Sequence, residues 1–332
     1  MMPMAAISVA VNSRKIRNLR TMKRRIFLFS VALLLFGASG LLLLERRASR
    51  QTAESTGQAP VLVKKAQIRP QPRLSAELTR ISDTGIHWEE RIAAVRELPT
   101  HLGQASLDFL FAYLSAPFDE HEENRYLVCN EIMEILRKRS LAPELYTEKL
   151  NALIANPKAD PVMRDYAAQH LAQWISGISP EATEPDPVRI PAALATMLQA
   201  ATNADHGQLT LPGTIFQSLA DAVINGSEEM KQHSAAIAEQ ALQVIQDSSF
   251  STLNRSSALQ AAARLRAKGI REISLAYAEN SALSADLRLS AIAALGQAGI
   301  RSDAAFLQSF HQDPTYHYAA QNAIQLLQAA PR

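Results

Sequence analysis

The sequence predicts an all-α protein in which short helices are arranged as repeated pairs. Only 6% of the 332 residues are aromatic, and helix-forming Ala, Leu, Gln and Glu dominate over the residues that strands prefer. From about residue 74 onward, apolar residues recur every three or four positions in blocks of ten to twenty, with Gly or Pro between the blocks. This pattern is typical of amphipathic helices joined by tight turns.

Charge is divided unevenly along the chain. Residues 1–50 carry ten Lys and Arg against one acidic residue, which leaves 24 basic and 31 acidic residues, a net charge of −7, in the remainder. A folded domain of that charge lacks the basic surface that nucleic acid requires, so we expect no nucleic-acid partner. The one cysteine, Cys129, excludes an intramolecular disulfide and a thiolate metal cluster, and its apolar neighbours favour a buried position.

An uncharged stretch of 19 residues, 26–44, predicts one transmembrane helix. At ~1.5 Å per residue it reaches about 28 Å, close to the ~30 Å hydrocarbon thickness of a bilayer. Seven basic residues precede it and three follow, so residues 1–25 are expected to form a basic cytoplasmic tail. The chain is thus predicted to be a single-pass protein of a bacterial inner membrane, with its C-terminal domain in the periplasm.

Other interpretations of the N-terminal region stay open. Ala38-Ser39-Gly40 is a possible signal-peptide cleavage site, and a buried globular helix is a further alternative to an uncleaved signal anchor. Met22, followed by Lys23-Arg24-Arg25, is a possible translation start. Residues 45–73 are polar with little periodicity and are predicted to be a linker.

A repeated frame occupies the remaining residues, 74–330. Its clearest copy, 284–299, contains Asp286 and Arg288, then small residues, Leu295 and Gly299. The frame recurs upstream, with spacings of 34, 39 and 33 residues between neighbouring copies, at the following arginines: Arg91, Arg125, Arg164 and Arg255. Spacings of this size suit a helix pair as the unit, and we expect about seven pairs. Prolines near 177–191 predict a kink or a boundary between two sub-arrays.

The frame resembles HEAT repeats, and the 284–299 unit is similar to the short bacterial variety also found in phycobilin lyase-like proteins. The resemblance is good over three or four units, and it implies an α-solenoid while implying almost nothing about function. In that fold the recurrent arginines are expected to bond an acidic or carbonyl group of a neighbouring helix. Aspartates at helix starts are expected to accept from free backbone N–H groups. We interpret these frame residues as structural: Arg91, Arg125, Arg164, Arg255, Asp286 and Arg288.

Motifs for catalysis or metal binding are missing from the sequence. It lacks the G-x-S-x-G, G-x-x-x-x-G-K-[ST], G-x-G-x-x-G and H-E-x-x-H signatures. Some HEAT-like enzymes bind iron through repeated His-Glu dipeptides, but only His121-Glu122 occurs here. The nearest histidine pair, His311 and His317, does not share a face of one helix. We therefore expect no catalytic residues, no cofactor and no metal.

The function predicted is that of a membrane-anchored scaffold that binds a protein partner and catalyses nothing. Four scarce aromatics are the strongest candidates for an interface, although packing in the core or between repeats is the more common role for such residues: Trp88, Trp174, Tyr316 and Tyr318. Two alternatives remain, an enzyme with an unrecognised lyase or hydrolase site in the solenoid groove, and a purely structural part of an envelope complex. The sequence does not identify the partner.

Overall fold

The computed structural model describes residues 75–117, 122, 124–177, 189–203 and 210–329. The predicted tail, transmembrane helix and linker lie outside these residues, so residues 1–25, 26–44 and 45–73 keep their assignments as predictions. Within the described part of the chain, none of the helices is both long and apolar enough to cross a bilayer.

All regular secondary structure in the described ranges is helical, which confirms the predicted all-α class. The helices are α1 Ala76–Ser82, α2 Trp88–Arg96, α3 Gln104–Ser115, α4 Arg125–Lys138, α5 Pro143–Ala155, α6 Pro161–Ile175, α7 Arg189–Thr202, α8 Leu211–Asn225, α9 Glu228–Lys231, α10 Ser234–Gln246, α11 Thr252–Arg264, α12 Ile270–Glu279, α13 Ala285–Ala298, α14 Asp303–Gln308 and α15 His317–Ala329.

These helices pack as successive pairs, and one member of each pair also packs against its counterpart in the next pair. Helices α2, α4, α6, α8, α11, α13 and α15 contact one another in that order, and we call them the B layer. Their partners α1, α3, α5, α7, α10, α12 and α14 form the A layer. Such nearest-neighbour packing is a helical repeat-like fold, consistent with an α-solenoid.

Local sequence explains where the helices begin. Asp160 caps α6 by accepting from the N–H groups of Val162 and Met163. Serine hydroxyls cap α1, α9, α11 and α13 in the same way, and prolines occupy the first turn of α5, α6 and α8, where a missing N–H costs little. The predicted helix breaks near Pro143 and Pro161 are therefore helix starts.

Small residues allow the B helices to approach closely. A Cβ added at Gly296 of α13 would lie 2.8 Å from the Cα atom of Ala323 in α15. Side-chain amides also link the layer, since Gln217 of α8 donates to the Ser257 carbonyl oxygen of α11 at 2.7 Å.

Most residues of the predicted sub-array boundary near 177–191 are outside the described ranges, and α6 and α8 on its two sides pack directly against each other.

Candidate functional site

Frame arginines link four of the B helices to the A helix that precedes each of them. In four repeats the Nε atom donates to the backbone carbonyl oxygen ten residues upstream, in the last turn of the preceding A-layer helix. These bonds are Arg91 to Ile81 at 2.9 Å, Arg164 to Ile154 at 2.9 Å, Arg255 to Ile245 at 2.9 Å and Arg288 to Ala278 at 3.1 Å. Because late carbonyls of a helix lack intrahelical donors, each bond satisfies a group that the helix itself leaves unpaired.

Tyrosines from the following repeat complete three of these contacts. Arg255 donates through Nη2 to the Tyr277 hydroxyl at 3.2 Å, and the same hydroxyl donates to the Ile245 oxygen at 3.0 Å. Arg288 bonds the Tyr316 hydroxyl at 2.9 Å, and Arg91 bonds that of Tyr113. Tyr113 and Tyr277 escaped the sequence reasoning, although both stand 22 residues after their arginines.

Arg125 departs from this pattern. It donates to the carbonyl oxygens of Pro117 at 2.8 Å and Tyr113 at 2.6 Å. Its guanidinium also lies 3.2 Å from Glu122, and the other oxygen of that carboxylate is 2.5 Å from Arg91. Both arginines are nearly fully buried, so this region holds an internal charge cluster rather than a solvent-facing site.

Asp286 does not cap its helix as the sequence suggested. Ser284, two residues earlier, is the capping residue and accepts from the N–H of Leu287, which leaves Asp286 exposed in the first turn of α13. A carboxylate in that turn still interacts favourably with the helix dipole. The serine was missed because both residue types are good caps and spacing alone does not choose between them.

Buried titratable groups occupy the interior of the array. Burial raises the pKa of the Cys129 thiol to about 12, so this cysteine is an inert core residue. Burial lowers the pKa of His170 to about 4; its Nε2 is 3.0 Å from the Asn130 amide oxygen, and its Nδ1 is 3.6 Å from Glu134. Burial also raises the pKa of Asp165 to about 6, and the Thr210 hydroxyl donates to this carboxyl group.

Metal-binding side chains do not converge in the described ranges, which contain no group of three or more His, Cys, Asp and Glu able to hold an ion. His311 and His317 do meet, with ring centroids 5.0 Å apart. They lie on the turn before α15 and at its first residue, so a helical-face argument does not apply to them. The Nδ1 of His317 is 2.9 Å from the His311 carbonyl oxygen.

Three of the four singled-out aromatics pack within the array. Trp174 is buried and donates through its indole N–H to the Thr147 hydroxyl at 3.1 Å, while Tyr316 is buried beside Arg288 and Trp88 is half-buried. Tyr318 differs, because 79% of its surface is exposed on the first turn of α15.

Exposed apolar side chains recur at the starts of B helices. Each is the second or third residue of its helix, and we call the set the apolar row: Leu127 (38% exposed), Val162 (40%), Leu253 (44%) and Tyr318 (79%). Val162 and Leu253 each precede the frame arginine by two positions, and Leu127 follows its arginine by two. Positions four apart share a helix face, so these side chains lie along one edge of the B layer.

Comparison with known proteins adds a distant likeness among solved structures. No protein-family model matches the chain, and no curated protein matches it either. A solved structure of human deoxyhypusine hydroxylase, in complex with glycerol, is 14% identical with a TM-score of 0.31, and the alignment covers 77% of this chain and 96% of that one. So low a TM-score carries no inference about activity, and the repeat-like fold rests on the helix packing described above.

Proposed function

We propose that the protein is a membrane-anchored HEAT-repeat scaffold that binds a protein partner at the cell envelope and catalyses no reaction. The apolar row is the observation that carries this function. Four large apolar side chains would gain from burial, and they lie at the same end of four of the seven B helices, α4, α6, α11 and α15. An extended partner that follows the B layer would contact them one after another.

Uncharged polar side chains beside the apolar row favour the same use. Toward the middle of the B helices, the accessible surface carries amides such as Gln169 and Gln321. Interface centres are depleted of charge and make direct hydrogen bonds through groups of this kind. Apolar anchors next to neutral hydrogen-bonding groups suit a polypeptide better than a phosphate-bearing ligand.

The assignment to HEAT repeats rests on the frame and its packing together. The pair order and the close B-layer contacts are consistent with a HEAT-like solenoid, and the Arg-to-carbonyl bonds recur with the frame on which the resemblance rests. A helix at 26–44 would hold the array at the periplasmic side of the inner membrane. Tethering there would raise its effective concentration near partners in the same bilayer.

Proximity labelling in the native membrane tests this function. The full chain and an anchor-only control, residues 1–73, each carry the labelling enzyme at the C-terminus. We expect one or two envelope proteins to be enriched by the full chain and absent from the control. A full-chain variant with Leu253→Ser and Tyr318→Ser, which leaves the core untouched, should lose the same proteins. Identical labelling by all three proteins would contradict a scaffold role.

A further inference from the structure

A groove lies at the opposite end of the B helices from the apolar row. It has a volume of about 520 Å³ and is formed by the turn between α11 and α12, the turn between α13 and α14, and Leu327 of α15. Leu253 and Arg264 are eleven residues apart on α11, which corresponds to ~17 Å along the helix. The groove and the apolar row are therefore separate surfaces.

Two residues of the α11–α12 turn have left-handed backbone conformations. Gly269 has φ of +83°, and Arg266 has φ of +53°, so the chain passes twice through the left-handed region within four residues. A Cβ at Gly269 would meet no atom within 4 Å, so its conformation rather than crowding calls for glycine there. The guanidinium of Arg266 is exposed at the groove.

Positive charge predominates around this groove. Arg266, Arg271 and Arg301 line it, and Lys268 is exposed in the same turn as Arg266. Neither Arg266 nor Lys268 forms an ion pair within the described residues. A net positive patch stands out in a chain that carries a charge of −7 outside its first 50 residues.

The acidic residues at the groove do not neutralise the charges of Arg266 and Lys268. Asp303 is buried and accepts from Arg271 Nε at 2.8 Å and from the Ile300 backbone N–H at 2.8 Å, so its carboxylate is satisfied internally. Glu272 is exposed and lies 3.5 Å from Arg271. Both acids pair with Arg271, and neither contacts Arg266 or Lys268 in the described residues.

An apolar surface accompanies the cations. Ile300 is 53% exposed, which is high for an isoleucine, and it lines the groove together with Ile270 and Leu327, which are themselves buried. A ligand that offered charge alone would leave this surface in water. A segment with an aliphatic side chain between carboxylates would bury it and neutralise Arg266 and Lys268 at the same time.

We propose that this groove binds an acidic peptide segment of a partner protein, with one aliphatic residue of that segment packed on Ile300. Arg266 and Lys268 supply the charge complementarity. The groove is a second contact surface, beyond the apolar row, and charge rather than apolar area sets its specificity.

Peptide selection on the full chain in detergent micelles tests this site. Phage-displayed random decapeptides are selected on the wild-type chain and counter-selected on an Arg266→Glu, Ile300→Ser double variant. We expect the enriched peptides to carry Asp or Glu on both sides of an aliphatic residue. Labelled peptide should then bind at least ten-fold more weakly to Arg266→Glu and to Lys268→Glu, and its affinity should fall as salt rises.

Matched variants separate the possible outcomes. Lys158→Glu changes an exposed lysine in the α5–α6 turn and should bind the peptide like the wild type. Leu253→Ser should also leave binding unchanged, whereas loss of binding there would assign the peptide to the apolar row and overturn this site. Equal affinity of an all-glutamate decapeptide would reduce the groove to general anion attraction and would also overturn it. So would a selection that yields no acidic consensus.

Discussion

The Nε atom of Arg255 donates to the carbonyl oxygen of Ile245, 2.9 Å away and ten residues earlier in the chain. That oxygen also accepts from the Tyr277 hydroxyl at 3.0 Å, so one carbonyl near the end of α10 joins α11 and α12. The ten-residue separation recurs at Arg91, Arg164 and Arg288. This bond is therefore part of the repeat and not a peculiarity of one turn.

Replacing Arg255 by Lys should destabilise the array, because lysine lacks the planar guanidinium that presents Nε–H to the Ile245 oxygen and Nη2–H to Tyr277 in a fixed geometry. We expect a loss of about 1–3 kcal/mol in the free energy of unfolding, the usual range for a hydrogen bond to a charged group or a buried group left unpaired. Urea unfolding of the full chain in detergent, followed by circular dichroism at 222 nm, measures it. The exposed Arg80→Lys serves as the control, and equal losses in both variants would contradict a special role for the frame position.

Arg91 and Arg96 stand five residues apart on α2 in opposite environments. Arg91 is buried and bonds Ile81, Tyr113 and Glu122, whereas Arg96 is exposed and pairs with Glu131. Arg91→Leu should cost about 3–5 kcal/mol, as expected when one partner of a buried ion pair is removed. Arg96→Leu should leave the urea midpoint nearly unchanged, because exposed pairs contribute little. A similar shift for both would show that burial of the cluster does not matter.

Gly296→Val should separate α13 from α15. Its Cβ would lie 2.8 Å from the Ala323 Cα atom, and a backbone atom cannot move aside as a side-chain tip can. Overpacking of this kind costs about 1–3 kcal/mol. The thermal midpoint of the full chain should fall, and Gly103→Ala, where an added Cβ meets nothing within 4 Å, should change it much less. An unchanged midpoint for Gly296→Val would contradict close packing of α13 against α15 at this position.

His170 and Asp165 should give the stability opposite pH dependences. The folded pKa of His170, about 4, lies below the unfolded value near 6.5, so stability is lost as pH falls from about 6.5 to 4. The folded pKa of Asp165, about 6, lies above the unfolded value near 3.9, so its buried charge destabilises the fold at pH 7 and protonation relieves this as pH falls to about 4. Each full effect is on the order of 3 kcal/mol.

Single variants should expose the two opposing effects. Asp165→Asn is expected to gain stability over the wild type at pH 7 and to lose that gain by about pH 4, while His170→Gln is expected to flatten the acid-side loss. Urea unfolding at pH 7, 5.5 and 4.5 measures the slopes, and a constant packing cost cancels between pH values. Parallel curves for wild type and either variant would contradict the corresponding pKa shift.

Sequence periodicity was sufficient to predict the helical class, because apolar positions three and four residues apart fall on one face of an α-helix. The frame arginines were found because Arg, small residues and Leu recur in a fixed order. Helices α7 to α10 were harder to predict from the sequence. Helix α8, which begins at Leu211 and Pro212, contains no arginine that would mark the frame.

The sequence pattern did not predict which apolar side chains are exposed to solvent. Leu253 and Leu259 lie on the same helix and are the same residue type, but the first is 44% exposed and the second is fully buried. Only the neighbouring helices decide which of the two meets water. The Arg–Tyr contacts and the His311–His317 pair were missed for the same reason, since each depends on how one repeat stacks on the next.

Site-specific photocrosslinking tests the central claim most directly. A photoreactive residue is placed at Leu253 of the apolar row or at Glu239, which is exposed on α10 of the A layer, in the full chain within its native membrane. A scaffold that binds through the apolar row should give a discrete crosslinked species from position 253, with the same partner each time and none from position 239. Tyr318→Ser in the same chain should weaken that crosslink. Equal crosslinking from both positions, or none from position 253, would contradict a protein-binding role for this surface.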